Sequence, residues 1–293
     1  MTNNLTRYKN GVLAYTFSLA VVLGVGVAIA YLQMGGVQTD SGINFWLING
    51  AYSICLGLVA LLILRLTKQP IKQSLGLTKD ALNAKKLLVL LTTVFVLLNV
   101  AAVVNNWFID LLTSWGCNLP SSVTSEQIKA NPVLAVVVAC ILPAINEELV
   151  FRGLLCSGLK EKLGNLPAVL LTGLLFALFH GNPAQTLHQF ALGCLLSMVA
   201  LSTKSVVLPV VAHLFNNLTT LVLAMYVEPT NFYSDNKWLV LAVGGLLLVA
   251  LVYLCTRQFK LDQRKTEKVN SAMYDLLLIA TAGMSIYLWV TAL

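Results

Sequence analysis

The chain has 293 residues, 58% of them hydrophobic and only 11% charged, with a net charge of +7. Soluble domains carry about 25% charged residues, so this composition excludes a water-soluble enzyme, a disordered chain and a disulfide-stapled secreted module. What remains is a polytopic membrane protein, in which the basic residues lie between apolar runs and serve orientation rather than nucleic-acid binding. The six cysteines form no CxxC pair and read as small packing residues.

A membrane helix needs about 20 apolar residues to cross about 30 Å of hydrocarbon. In chain order, uncharged stretches predict spans near 11–33, 43–64 and 87–110. An apolar run from Pro132 to about Leu159 follows, and it tolerates Glu147, Glu148 and Arg152. The charge-free stretch 163–203 is too long for one helix, and His180-Gly-Asn-Pro183 divides it into spans near 164–180 and 184–202. Spans near 205–226, 238–255 and 272–292 complete the count, the last with Asp275 in its first turn. The first span is too long for a removed signal peptide and is expected to stay as a helix. With the N-terminus in the cytoplasm, 16 of the 19 basic residues face inside and only Lys129 and Lys237 face outside. The expectation is an all-α integral membrane protein with about eight to nine transmembrane helices around an intramembrane polar cavity. Residues 1–293 form a single membrane domain, the bilayer is its surroundings, and a bacterial plasma membrane suits the compact loops. The basic segment 65–86, with Ile71, Leu75 and Leu77 among lysines, reads equally as an amphipathic helix on the inner leaflet or as a solvated loop.

Charges inside an apolar span need a reason, because each costs about 2.5–3.5 kcal/mol at the bilayer centre even on the lenient insertion scale. Glu148 and Arg152 stand at i and i+4 with the acid first, the favourable order for a helical ion pair. Glu147 is turned by about 100° and is left without a local partner. The three histidines of the chain also lie in apolar stretches. Phe176 lies one turn before His180, and His213 with Asn217 share a helix face, while Asn216, turned by about 100° from Asn217, is expected to matter less. His188, with Gln185 and Gln189 nearby, reads as a polar packing or cavity-lining residue. Carboxylate and imidazole together can activate water, and imidazole with carboxamide can stabilise an oxyanion. The same cluster would also serve a non-proteolytic scaffold or immunity protein, or the proton relay of a transporter.

Glu147-Glu148-Leu-Val-Phe-Arg152, Phe176-Ala-Leu-Phe-His180 and His213-Leu-Phe-Asn-Asn217 match, in order, the EExxxR, FxxxH and HxxxN patterns of the CAAX protease and bacteriocin-processing family. The resemblance covers about residues 132–226, which it marks as a catalytic core. It implies an intramembrane endopeptidase in which Glu147 activates water with help from His180, His213 and Asn217 form the oxyanion site, and Glu148 with Arg152 support them. The implied partner is a membrane-associated peptide or protein substrate, a prenylated CAAX protein in some members and a peptide precursor in others. Glu147, His180 and His213 would be the ligands of a zinc-dependent version, and a metal-free glutamate and histidine mechanism is equally open. One feature resists simple placement. Counted at 1.5 Å per residue from Gly164, His180 lies about 24 Å from the inner surface, whereas His213 lies about 12 Å from it. A short, tilted fifth helix, starting deeper or ending in a buried turn, is the expected resolution.

Overall fold

The computed structural model describes residues 4–39, 42–77, 83–119, 123–226, 235–262 and 271–293, and within these every regular element is helical. The principal helices are α1 (Asn4–Met34), α2 (Gly42–Leu66), α3 (Ala84–Ser114), α4 (Pro132–Leu163), α5 (Asn165–Phe179), α6 (Thr186–Thr203), α7 (Val207–Tyr226), α8 (Lys237–Gln258) and α9 (Ala272–Thr291). Eight are long and apolar enough to cross a bilayer, α6 together with the turn from Pro183. The short one is α5, with 15 residues, and not the C-terminal helix with its early Asp275. Asp275 is accommodated because it sits at a helix end, bonded by Lys162 and by the Tyr8 hydroxyl at 2.7 Å.

Two apolar clusters organise the bundle. Tyr8, Tyr15, Leu56, Leu64, Phe151, Leu155, Phe176 and Leu278 join α1, α2, α4, α5 and α9. Leu90, Val94, Leu196, Leu208 and Phe259 join α3, α6 and α7 to the end of α8. Where lipid offers no hydrophobic drive between helices, small residues permit close backbone approach. A Cβ on Gly158 would lie 2.6 Å from the Arg7 carbonyl oxygen, and one on Gly193 would lie 2.9 Å from the Gly173 Cα. Those contacts fix α1 against α4 and α5 against α6.

The segment after α2 is neither a surface helix nor a free loop. Among its described residues only the turn Ile71–Ser74 is helical, and Leu75 is buried with its side chain against Gly153. Gly76, at φ +59°, lies so close to the Lys204 carbonyl that any side chain would collide with it. The α6–α7 turn is thereby held at the level of Gly153. Val206 touches that same glycine position.

Contacts of α5, rather than residue counting, place His180. Gly173 lies against Gly193 of α6, and Phe176 meets the His180 ring at 4.7 Å and the His213 ring at 5.9 Å, so His180 reaches its polar neighbours through the last turn of α5. With 15 residues α5 is about 22 Å long, too short to cross about 30 Å of hydrocarbon. The turn it ends in is recessed, and its polar groups are met by protein: Asn105 donates to the Ala184 carbonyl, Asn182 accepts from the Ala184 amide at 3.0 Å, and Trp289 donates to the Thr186 hydroxyl at 2.7 Å.

Candidate active site

The acidic pair sits on an irregular part of α4. Wide, π-helical turns at Val136–Ile141 and Leu149–Cys156 flank the regular stretch Leu142–Glu148. Pro143 has no N–H to donate to the preceding turn, which accounts for the loosened winding before it. Such turns re-aim side chains inside a helix and recur at functional sites. Here Glu147 and Glu148 are both buried.

Glu148 is the structural centre. One of its oxygens, Oε1, accepts from Arg152 Nη1 at 2.7 Å and from His213 Nδ1 at 2.8 Å, and all three side chains are 3% exposed or less. Arg152 Nη2 donates to the Gly193 carbonyl at 3.3 Å, tying the pair to α6. The guanidinium also lies 4.2 Å over the Phe176 ring. A charge-assisted bond to Nδ1 selects the imidazole orientation. It turns the other nitrogen, Nε2, toward Glu147, whose Oε2 is 3.9 Å away and buried with no hydrogen-bond partner. Tyr52 of α2 is an electrostatic neighbour of Glu147.

His180 enters through Phe176. Its Nδ1 donates to the Phe176 carbonyl at 2.8 Å, and its ring meets the Phe176 ring edge-on at 4.7 Å. The His213 ring meets the same phenyl at 5.9 Å. The hydrogen bond at Nδ1 leaves Nε2 of His180 as the acceptor nitrogen. No hydrogen bond or ion pair joins His180 to Glu147 among the described residues. On α7, Asn216 is buried and donates from Nδ2 to Asn217 Oδ1 at 3.1 Å, while Asn217 is half-buried. Asn216 and Asn217 straddle the face of His213, because i+3 and i+4 lie about 60° to one side and 40° to the other. The i+3 position is therefore not turned out of the site.

A zinc ion held by Glu147, His180 and His213 does not fit this arrangement. Among the described residues no three His, Cys, Asp or Glu side chains are grouped to hold a metal ion. The two histidines meet the Phe176 ring, and among the described residues no hydrogen bond or ion pair joins His180 to Glu147 or to His213.

Some partners were not visible in the sequence. The Glu148–His213 bond joins residues 65 apart, and the Gly193 carbonyl is a backbone group with no sequence signal. Tyr52 comes from a helix without any motif. His188, in contrast, carried a signal as one of only three histidines. It lies against Asn216, with His180 and His213 as electrostatic neighbours.

Comparison with known proteins adds an independent line. Residues 129–219 match the family model described as "Type II CAAX prenyl endopeptidase Rce1-like". Over 125 residues, 42% of this chain, the sequence is 30% identical to the protein named "Putative membrane peptidase YdiL" of Bacillus subtilis (strain 168). The match spans half the length of that relative. No solved structure matches the chain. The matched segment contains Glu147, Glu148, Arg152, His180, His213 and Asn217, so the residues of all three motifs lie in the part of the chain that is similar to the type II CAAX prenyl endopeptidase Rce1-like family.

Proposed function

We propose that this protein is an intramembrane endopeptidase, and that it hydrolyses a peptide bond of a membrane-associated substrate with water activated by side chains alone. The observation that carries the reading is Glu147 Oε2, a buried carboxylate oxygen without a hydrogen-bond partner that faces, at 3.9 Å, an imidazole that Glu148 holds from behind. An unsatisfied acceptor in an apolar span costs stability, and its retention fits a base that binds water and substrate.

In this mechanism Glu147 takes a proton from water as the water oxygen attacks the carbonyl carbon of the amide. His180 accepts a second hydrogen bond from that water at Nε2 and fixes its direction. The carbonyl oxygen becomes an oxyanion that accepts from Asn217 Nδ2–H and from His213 Nε2–H, the imidazole being protonated at both nitrogens while Glu148 accepts at Nδ1. Arg152 offsets the charge of Glu148, so that the pair supports an imidazolium without a net buried anion. The C–N bond then breaks, and the leaving amine takes the proton from Glu147.

We further infer a bacterial plasma membrane with the N-terminus in the cytoplasm, from the basic residues gathered at the end that holds Arg7, Lys160 and Lys204. The test of hydrolysis is product analysis of a membrane peptide incubated with the purified protein in water enriched in oxygen-18. Two fragments are expected, with the heavy oxygen in the new C-terminal carboxylate. An intact peptide that co-purifies with the protein would favour a scaffold instead.

A further inference from the structure

Asn217 can serve an oxyanion only if its carboxamide presents nitrogen and not oxygen. The two ends are nearly equal in shape, and a flipped amide would set a carbonyl oxygen against the developing negative charge. Asn216 supplies one constraint, because its Nδ2 donates to Asn217 Oδ1 and so commits that oxygen as an acceptor. The same question then passes to Asn216. Its own orientation requires that Oδ1 point away from Asn217, and that oxygen is buried without a hydrogen-bond partner. His188 of α6 lies against Asn216, and its Nε2 is likewise buried and unpartnered. An acceptor and a ring N–H, adjacent and each unsatisfied in an apolar interior, form a pair that closes directly or through one water.

We propose that His188 is a positioning residue, which acts through Asn216 to hold the Asn217 carboxamide with its N–H toward the oxyanion. Every link has the donor on the same side: His188 N–H to Asn216 Oδ1, Asn216 Nδ2–H to Asn217 Oδ1, Asn217 Nδ2–H to the reacting carbonyl oxygen. The chain runs from α6 to α7, so the close approach of α6 to its neighbours is also what delivers His188. A His188 that only filled space would be replaceable by any ring of similar size. This inference rests on the endopeptidase reading and assigns a function to a residue and to Asn216 that the three motifs leave out.

The experiment uses the full chain in detergent with one membrane peptide, comparing wild type, Glu147→Gln, His188→Phe, His188→Gln, Asn217→Ala and the His188→Phe/Asn217→Ala double variant. His188→Phe keeps the ring and removes the donor, and kcat is expected to fall roughly 10- to 100-fold with KM within about twofold, as for a displaced catalytic group. His188→Gln restores a donor and is expected within about fivefold of wild type. In the Asn217→Ala background the His188→Phe substitution is expected to add little, because the group it positions is gone. Losses that multiply in the double variant, or a His188→Phe enzyme with unchanged kcat, would overturn the relay while leaving hydrolysis intact. If the folded wild-type protein leaves the peptide uncleaved, the endopeptidase reading fails and the relay fails with it, whereas equal cleavage by Glu147→Gln overturns only the assignment of Glu147 as the base.

Discussion

A carboxylate with two charge-assisted partners, as Glu148 has in Arg152 and His213, cannot lose one without consequence for the other. Arg152→Ala strands a buried charge, and thermal unfolding is expected to register a loss of about 3–5 kcal/mol together with a loss of turnover. Replacing Glu148 and Arg152 together by leucine and methionine removes both charges and is expected to regain most of the stability. Turnover stays low, because His213 then has nothing at Nδ1. Equal stability of the single and double variants would contradict the pairing. Asn217→Ala is expected to lower kcat by about 10²- to 10³-fold with little change in KM, measured on the same peptide. At this scale the sequence was informative where partners share a helix. The Glu148–Arg152 pair and the Phe176–His180 stack follow from i and i+4 spacing, and the helix periodicity is enough to find them. The His213–Glu148 bond spans two helices, and the importance of Asn216 depends on what α6 places beside it.

The helices carry the site by their offsets more than by their count. Nine apolar segments were readable, because uncharged stretches of about 20 residues have few other uses. Their relative depth was not readable, since it is set by contacts such as Gly76 against Lys204 and Leu75 against Gly153. Those contacts hold the α6–α7 turn against α4, and it is the Phe176 ring that joins His180 to His213. The loop that supplies Leu75 therefore belongs to the framework of the site. Gly193→Val is the test at this scale, because the new side chain would start 2.9 Å from the Gly173 backbone and force α6 away from α5. It also lies at the carbonyl that receives Arg152. Both the unfolding temperature and kcat are expected to fall, whereas a valine at Gly245, which has open space around it, is expected to leave both near wild type.

Across the whole molecule, Arg7–Glu161, Lys162–Asp275 and Lys204–Asp262 gather the charges of α1, α4, α6, the end of α8 and α9 at one end. If that end is cytoplasmic, a membrane-impermeant maleimide applied to intact cells should label Ser114→Cys and spare Lys72→Cys, in a background without Cys55 and Cys117. The reverse pattern would invert the chain. Glu147, Glu148, His213 and Asn216 are buried on α4 and α7, and in the proposed mechanism Glu147 is the group on which hydrolysis depends. The direct measurement is the cleavage rate of one membrane peptide by wild type and by Glu147→Gln, with matched unfolding temperatures in the same detergent. The account predicts a loss of at least about 10²-fold in the variant; a folded Glu147→Gln protein that cleaves at the wild-type rate would contradict it.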